Sequence, residues 1–486
     1  MTYTLKSKVK SLYIGNASVP ITPDNPKGLA LGGYGDRDDY CTGVHDDLFA
    51  RISYFKWDKH ADTQIILISL DLVGINSSVL NFFLNKISKQ FSIQKEHILI
   101  SCTHTHSGFE SLGTLAPGIL GGFGGILKSR LRTDVMIKIF KKVFKGIELA
   151  KNNLIRVKIG FKKLYLEDLI AFNRRKPQKP INKPINIMKF TDYAGNLVSI
   201  ICCIGIHGTI LKGNNSLISA EWMGVLVKEL GSRLEENPLK YQNEKGVFVN
   251  FFIGAEGNVA PFTYTGLDFK NTDNLNIIYH KIRKLKAESR DILPNSNFEF
   301  MKAYGIFLAS KIAEALDEIV CMQINEIRVI ERRFYIPLYG IPRSNKIKDL
   351  LFYFKDIFLK KLFRFLFTML HSVIVPLFNP IKYKKKYHIE TSVKAIGFDE
   401  IIMLTSPGEL FNEIEEEIYE YIREQIDPEL EKKTFIIGFA NDYASYLFPL
   451  EEYFKGGYEN EFQFAPLAGA LVKKEMKKAA IYIQNV

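Results

Sequence analysis

Two histidines lie two residues apart in Thr103-His-Thr-His-Ser107, directly after the apolar run His97–Ser101. The run has the length and composition of a short buried strand. Residues two apart in an extended chain face the same side. His104 and His106 therefore project into one space where a strand runs out. Neutral imidazole is a common zinc ligand, so the pair suits a metal site. The chain has only 9 histidines in 486 residues, which makes this pairing a concentration of a scarce residue type. The alternative is a pair of ordinary hydrogen-bonded loop histidines.

Four further apolar runs end in polar clusters. Val198–Ile206 ends at His207-Gly-Thr, and Val247–Ile253 at Gly254-Ala-Glu-Gly-Asn-Val-Ala-Pro261. Ile401–Leu404 ends at Ser406-Pro-Gly-Glu409, and Phe435–Phe439 at Ala440-Asn-Asp-Tyr-Ala-Ser-Tyr446. Sites in α/β proteins gather at strand ends, so His207, Glu256, Glu409, Tyr443 and Tyr446 join the candidates. The competing reading is plain turns rich in Gly, Pro and Asn.

The elements that must carry these residues alternate. Strand-like runs at Ser11–Ile14, Ile52–Phe55 and Ile65–Val73 precede helical spacing over Val79–Phe91. A glycine-rich segment, Gly113–Gly125, leads into a basic helical stretch, Asp134–Lys151. The pattern predicts a mixed α/β (α+β) fold rather than a helical bundle. Hydrophobic residues make up 47% and charged residues 24%, which places the chain among globular proteins. The net charge of +12 favours anionic partners, but no nucleic-acid-binding motif is present, so nucleic acid is not expected as a partner. Five cysteines without a Cys-x-x-Cys pair fit a reducing compartment, with Cys202 and Cys203 as buried strand residues. The N-terminus shows no apolar core of a secretory signal, and a cytoplasmic location is expected.

Residues 349–387 stand apart. An aromatic-rich apolar stretch is flanked by Lys355, Lys360, Lys361, Arg364 and the run Lys382–Lys386. Its uncharged part, Phe365–Phe378, is shorter than the ~20 residues that span a bilayer. One reading is an interfacial helix giving peripheral contact with an anionic membrane; the other is a buried helix pair with solvated lysines.

In order, the clusters resemble the N-terminal catalytic domain of the neutral/alkaline non-lysosomal ceramidases. The matching pieces are Gly-Val-His-Asp-Asp-Leu-Phe-Ala-Arg at 43–51, Thr-His-Thr-His-Ser-Gly at 103–108, Asn173-Arg174 and Ile-His-Gly-Thr at 206–209. Gly-Asn-Val-Ala-Pro at 257–261, Pro-Gly-Glu at 407–409, Asn-Asp-Tyr-Ala-Ser-Tyr at 441–446 and Glu-Glu-Tyr at 451–453 complete them. The resemblance implies a single catalytic domain over 10–486; two expected departures from the family are a helical insert at 345–390 that has no counterpart and the lack of its C-terminal immunoglobulin-like domain. It implies Zn²⁺ as cofactor, with His104, His207, Glu409 and Tyr446 as ligands and Tyr443 competing for the tyrosine place. It implies His106 and Arg174 as catalytic, substrate-contacting residues. The family's serine in its Gly-Asp/Asn-x-Ser-Pro-Asn motif is Ala260 here, and the asparagine position is Phe262.

The serine is not required if zinc supplies the nucleophile, since bound zinc lowers the pKa of its water to about 7. His106 would hydrogen-bond the oxyanion or protonate the leaving amine. Arg174 would neutralise an oxyanion or fix a head group; its alternative is a surface loop arginine beside Arg175. No His-Glu-x-x-His helix is present, and Glu256 is a candidate general base whose alternative is a loop-exposed carboxylate. The expected function is a zinc-dependent amidohydrolase that cleaves an N-acyl amide, ceramide or a related lipid amide, by a metal-activated water. The alternatives are hydrolysis of a different amide or ester, or a non-catalytic metal-containing protein that binds lipid or membrane.

Overall fold

The computed structural model describes residues 11–34, 37, 39–57, 63–113, 131–166, 170–176, 180–236, 246–261, 298–337, 388–461, 463 and 465–484. The apolar and basic segment 349–387 and Phe262 lie outside the described residues. Of the expected insert 345–390, only 388–390 are described, and they open a strand.

Eight strands form the larger sheet. They are β1 (Leu12–Pro20), β2 (Phe49–Trp57), β3 (Gln64–Leu70), β4 (Ile98–Cys102), β5 (Ile155–Leu164), β6 (Ile185–Thr191), β7 (Leu197–Ile204) and β8 (Phe248–Ile253), in the order β8-β7-β6-β5-β1-β2-β3-β4. A second sheet runs β9 (Ile327–Pro337), β10 (His388–Phe398), β11 (Ile401–Thr405), β12 (Thr434–Ile437). Pairing is parallel for β3 with β4, β7 with β8 and β11 with β12.

Both faces of the larger sheet are buried, which explains its continuous apolar runs. Ile66, Ile68, Ile98 and Ile100 face helices, while Ile65, Leu67 and Leu99 between them face the second sheet. The helical face carries α1 (Ser77–Phe91), α2 (Thr133–Asn152), α3 (Glu221–Glu235) and α4 (Phe298–Ala315). Phe55, Phe190 and Phe252 meet Phe398, Met403 and Phe435 between the sheets. The outer face of the second sheet is covered by α5 (Asn412–Gln425) and α6 (Ala468–Tyr482). The result is four layers, helix–sheet–sheet–helix, within the mixed α/β class that the alternation of elements predicts. Cys202 and Cys203 are buried in β7 as expected, and all five cysteines are free. Among the described residues, no helix is long and apolar enough to cross a membrane.

The larger sheet curls. Asn250 of β8 donates to Ser53 Oγ of β2 (3.1 Å), and Ser69 of β3 donates to the Phe251 carbonyl of β8. The segments that follow β4 and β7 therefore meet, and Thr105 bridges Gly208. The second sheet is stapled to this end by Ser101 Oγ, which donates to Gly438 O at 2.7 Å. Five strand ends, those of β4, β7, β8, β11 and β12, thus open onto one space.

Candidate functional site

His104 leaves β4 with φ 61°, a left-handed conformation that turns its ring inward. Its Nδ1 donates to Val73 O at 2.6 Å. His207 follows β7, and its Nδ1 donates to Glu256 O (2.7 Å) and Val259 O (3.0 Å). A carbonyl can only accept, so both rings carry a proton on Nδ1, and each ring in its neutral form turns the Nε2 lone pair toward the pocket. Glu409 opens a two-residue parallel ladder, Glu409–Leu410 with Tyr446–Leu447, in which Glu409 lies opposite Tyr446. Tyr443 Oη donates to Glu409 Oε1 at 2.9 Å. Phe439 stacks on the His104 ring (centroids 4.2 Å apart) and on Tyr443, which walls the cluster on that side.

The donor atoms converge in a buried pocket. Glu409 Oε2 stands 3.6 Å from His104 Nε2 and 3.4 Å from His207 Nε2. His207 Nε2 and Glu409 Oε2 are buried without any hydrogen-bond partner. Ligands held 2.0–2.2 Å from a tetrahedral zinc are about 3.3–3.6 Å apart, so these separations fit one such ion. Bare lone pairs facing one another in a buried site otherwise repel and stay unsatisfied. The pocket's residues thus have the chemistry and the spacing for a divalent cation.

Charge within the pocket is strongly biased. Burial raises the Glu409 carboxyl, but the positive charge and Nε2–H that His104 and His207 carry when protonated outweigh it and hold it well below the usual carboxylate range. His207 is pulled down to about 4, chiefly by burial and then by Arg174. His106 is held neutral by burial and by the two other imidazoles; its Nε2 is 3.0 Å from His104 Nε2, and its Nδ1 has no partner. Burial and then the Glu409 charge push Tyr446 well above the ordinary phenol, and Arg174 opposes them. Tyr34 meets the His106 ring edge-on at 4.8 Å. Gly33 passes so close that a Cβ would lie 2.5 Å from that ring, which gives one residue of the glycine-rich Leu31–Gly35 run its reason.

Each residue expected at the site lies here, and two of the alternatives fail. Arg174 is not a solvated loop arginine. Its Nε donates to Glu459 Oε1 (2.8 Å) and its Nη2 to Gly257 O (2.7 Å), and its guanidinium lies 5.5 Å from the centre of the Tyr446 ring. Arg175 shares the clamp through Glu459 Oε2 (2.8 Å) and Glu452 Oε2 (2.9 Å). Glu256 is not a loop-exposed carboxylate; it is 0% exposed. The second sheet covers it, since Gly438 N bonds Ile253 O and a Cβ on Gly438 would sit 3.2 Å from Glu256 Oε2. Neither Glu256 oxygen has a hydrogen-bond partner, and burial followed by the Glu409 charge pushes its carboxyl well above the usual range.

Sequence reasoning missed Glu459, which holds Arg174, and Glu413, which ties Asn173 (3.2 Å) and Asn258 (2.7 Å) under the loop after β8. Glu452 lay inside the Glu-Glu-Tyr motif, but nothing in its spacing pointed to Arg175. Ala260 sits in the short strand Val259–Pro261, paired with Phe172.

Comparison with known proteins agrees with this architecture. The family model for "neutral/alkaline non-lysosomal ceramidase, N-terminal" matches residues 13–275, more than half of the chain. A neutral ceramidase of Mycobacterium tuberculosis is 25% identical over 234 residues, which is 44% of this chain and 34% of that protein. The match thus spans about a third of the curated relative's length. The crystal structure of neutral ceramidase from Pseudomonas aeruginosa superposes with a TM-score of 0.68 at 16% identity, over 98% of this chain and 75% of that one. A ceramidase structure complexed with C2 gives a TM-score of 0.68 at 15% identity over the same shares. With the family model covering both halves of the histidine cluster, His104 and His207, the chain belongs to the neutral/alkaline non-lysosomal ceramidase family.

Proposed function

We propose that this protein hydrolyses an N-acyl lipid amide, ceramide or a close relative, with one zinc ion held by His104, His207, Glu409 and Tyr446. The observation that supports it is the pair of unpartnered buried donors, His207 Nε2 and Glu409 Oε2, at the spacing of zinc ligands. A zinc ion there supplies Lewis-acid polarisation of a carbonyl and brings the pKa of a water to about 7.

The chain's own residues do the rest. His106, kept neutral by its surroundings, hydrogen-bonds the oxyanion, or accepts the proton of the attacking water and then passes it to the leaving amine. Arg174 stays charged, clamped by Glu459 and Gly257, and orients a polar head group or neutralises an oxyanion beside Tyr446. Phe439 and Tyr34 restrict water around the imidazoles. Ala260 offers no hydroxyl, so hydrolysis proceeds without an acyl-enzyme at this position. Donors come from residue 104 to residue 446 and from both sheets, so we assign 10–486 to one catalytic domain.

The test is metal analysis of purified protein, followed by a screen of N-acyl lipids with and without chelator. We expect one zinc per chain, chelator-sensitive hydrolysis that rises with pH through about 7, and no adduct with a serine-directed reagent. A stable acyl-enzyme would refute the water route. Ala260 also favours a second reading, hydrolysis of another amide or ester, which turnover of such substrates but not ceramide would establish. Zinc binding without any turnover would leave a metal-containing lipid-binding protein. Peripheral membrane contact through 349–387 is tested by sedimentation with neutral and anionic vesicles at low and high salt; screening by salt is the expected signature.

A further inference from the structure

Among the described residues, Glu256 is the carboxylate grouped with His104 and Glu409 that the ligand set above does not use. We propose that Glu256 is a further donor to the metal ion, so that the centre holds two carboxylates; this rests on the reading of His104, His207 and Glu409 as ligands. Its side chain is fully buried, and neither oxygen has a hydrogen-bond partner. Among the described residues, the cations near it are committed elsewhere. Lys183 Nζ is held by Glu415 and Asn412, and Arg174 by Glu459 and the Gly257 carbonyl. A buried acid that no donor meets either stays protonated or is ionised against a cation, and an ion at this pocket is the cation within reach of its oxygens.

The geometry says which cation. Donor atoms of His104, Glu256 and Glu409 lie within 4.8 Å of one another, and so do those of His104, His106 and His207. The two groups share His104, whose Nδ1 is committed to Val73 O. Only Nε2 remains, and one nitrogen lone pair binds one ion. Glu256 therefore joins the ion of His104 and Glu409 rather than a second one. The main chain of the same residue also orients a ligand, because Glu256 O accepts from His207 Nδ1 at 2.7 Å. Glu256 thus aims one ligand through its backbone and acts as another through its side chain.

The experiment compares wild type, Glu256→Gln and His207→Ala, each stripped of metal and titrated with Zn²⁺ against a chromophoric chelator, then loaded with Co²⁺ for visible spectroscopy. Glu256→Gln keeps the shape and removes the charge, and melting of the metal-free proteins reports folding. We expect Glu256→Gln to fold, to bind Zn²⁺ at least ~100-fold more weakly, and to shift the Co²⁺ ligand-field bands; outer partners of a metal site typically change affinity only 10–100-fold. Unchanged affinity would overturn the proposal. So would weaker binding with an unaltered Co²⁺ spectrum, which would put Glu256 behind the ligands. Wild-type protein that binds no metal, or His207→Ala that binds it stoichiometrically, would instead overturn the underlying metal reading.

Discussion

Gly257→Ala should empty the metal centre without touching a ligand. Gly257 lies under the strand that carries Glu409, and its N–H donates to Leu410 O at 2.8 Å. A Cβ there would stand 2.5 Å from Glu409 O and 2.9 Å from the carbonyl carbons of Glu409 and Leu410. Ordinary contact begins at 3.4 Å, so the Glu409 backbone must retreat by about 0.9 Å. Main chain locked in a ladder with Tyr446 cannot rotate away as a side chain would. Metal–ligand distances tolerate about ±0.2 Å, so such a shift takes Glu409 Oε2 out of reach of an ion fixed by His104 and His207. Overpacking of this kind costs roughly 1–3 kcal/mol of stability. We expect zinc affinity to fall at least ~100-fold, in line with the penalty for a 1 Å misplacement in a catalytic site. The assay is chelator competition on metal-free protein, with thermal unfolding alongside. Gly231→Ala is the control: it sits in α3 with nothing within 4 Å of its added Cβ, and should gain about 0.5–1 kcal/mol with zinc affinity unchanged. Wild-type zinc affinity in a folded Gly257→Ala protein would refute the claim that the backbone at 257 fixes Glu409.

Other outcomes can be checked with the same assays. Tyr446→Phe should weaken zinc binding more than Tyr443→Phe, because the second change removes only a hydrogen bond to Glu409 Oε1, worth about 1 kcal/mol; the reverse order would make Tyr443 the ligand. Glu459→Gln should leave zinc in place, lower turnover and destabilise by roughly 1–3 kcal/mol, since two arginines lose a charged partner. Away from the site, burial drops Lys394 to about 8. The unfolded chain then binds more protons between pH 8 and 10.5, so stability rises with pH across that window, by about 3 kcal/mol. Denaturant unfolding of Lys394→Met should lack that rise relative to wild type.

The donors were legible because each follows an apolar run, and both the run and the residue after it are local in sequence. Ile98–Cys102 reads as a strand from its composition, and the two-residue spacing alone puts His104 beside His106. The structure adds a left-handed His104 that no propensity announces, because the turn is imposed by Leu72 O accepting from His104 N. The same locality explains what was hidden. Gly-Ala-Glu-Gly at 254–257 has the composition of a solvated turn, and Glu256 is buried only because the Gly438 segment of a different sheet lies over it. Arg174 looks like half of a basic surface pair until Glu459, 285 residues further on, closes over it.

These two hidden features bear on each other. Gly257 touches Glu409 through its missing Cβ, holds Arg174 through its carbonyl, and follows the residue whose carbonyl aims His207. The loop after β8 therefore sets a ligand on each side of the pocket and the charged group beside Tyr446. In the resembling family this loop leads to a serine; here it leads to Ala260, and Glu256, four positions earlier, brings in a carboxyl whose two oxygens have no hydrogen-bond partner. A loop that lost only its hydroxyl would leave these contacts without a purpose beyond packing. One that also buries a second carboxylate within 4.8 Å of His104 and Glu409 has, on the proposal above, its role at the ion instead of at the hydroxyl. The affinity of Glu256→Gln for zinc and the turnover of Ala260→Ser measure the two sides of that shift. If Ala260→Ser raises turnover while the Glu256 carboxylate proves dispensable for metal, the loop is a damaged serine motif; if zinc affinity depends on Glu256 and Ala260→Ser gains nothing, it is a rebuilt metal site.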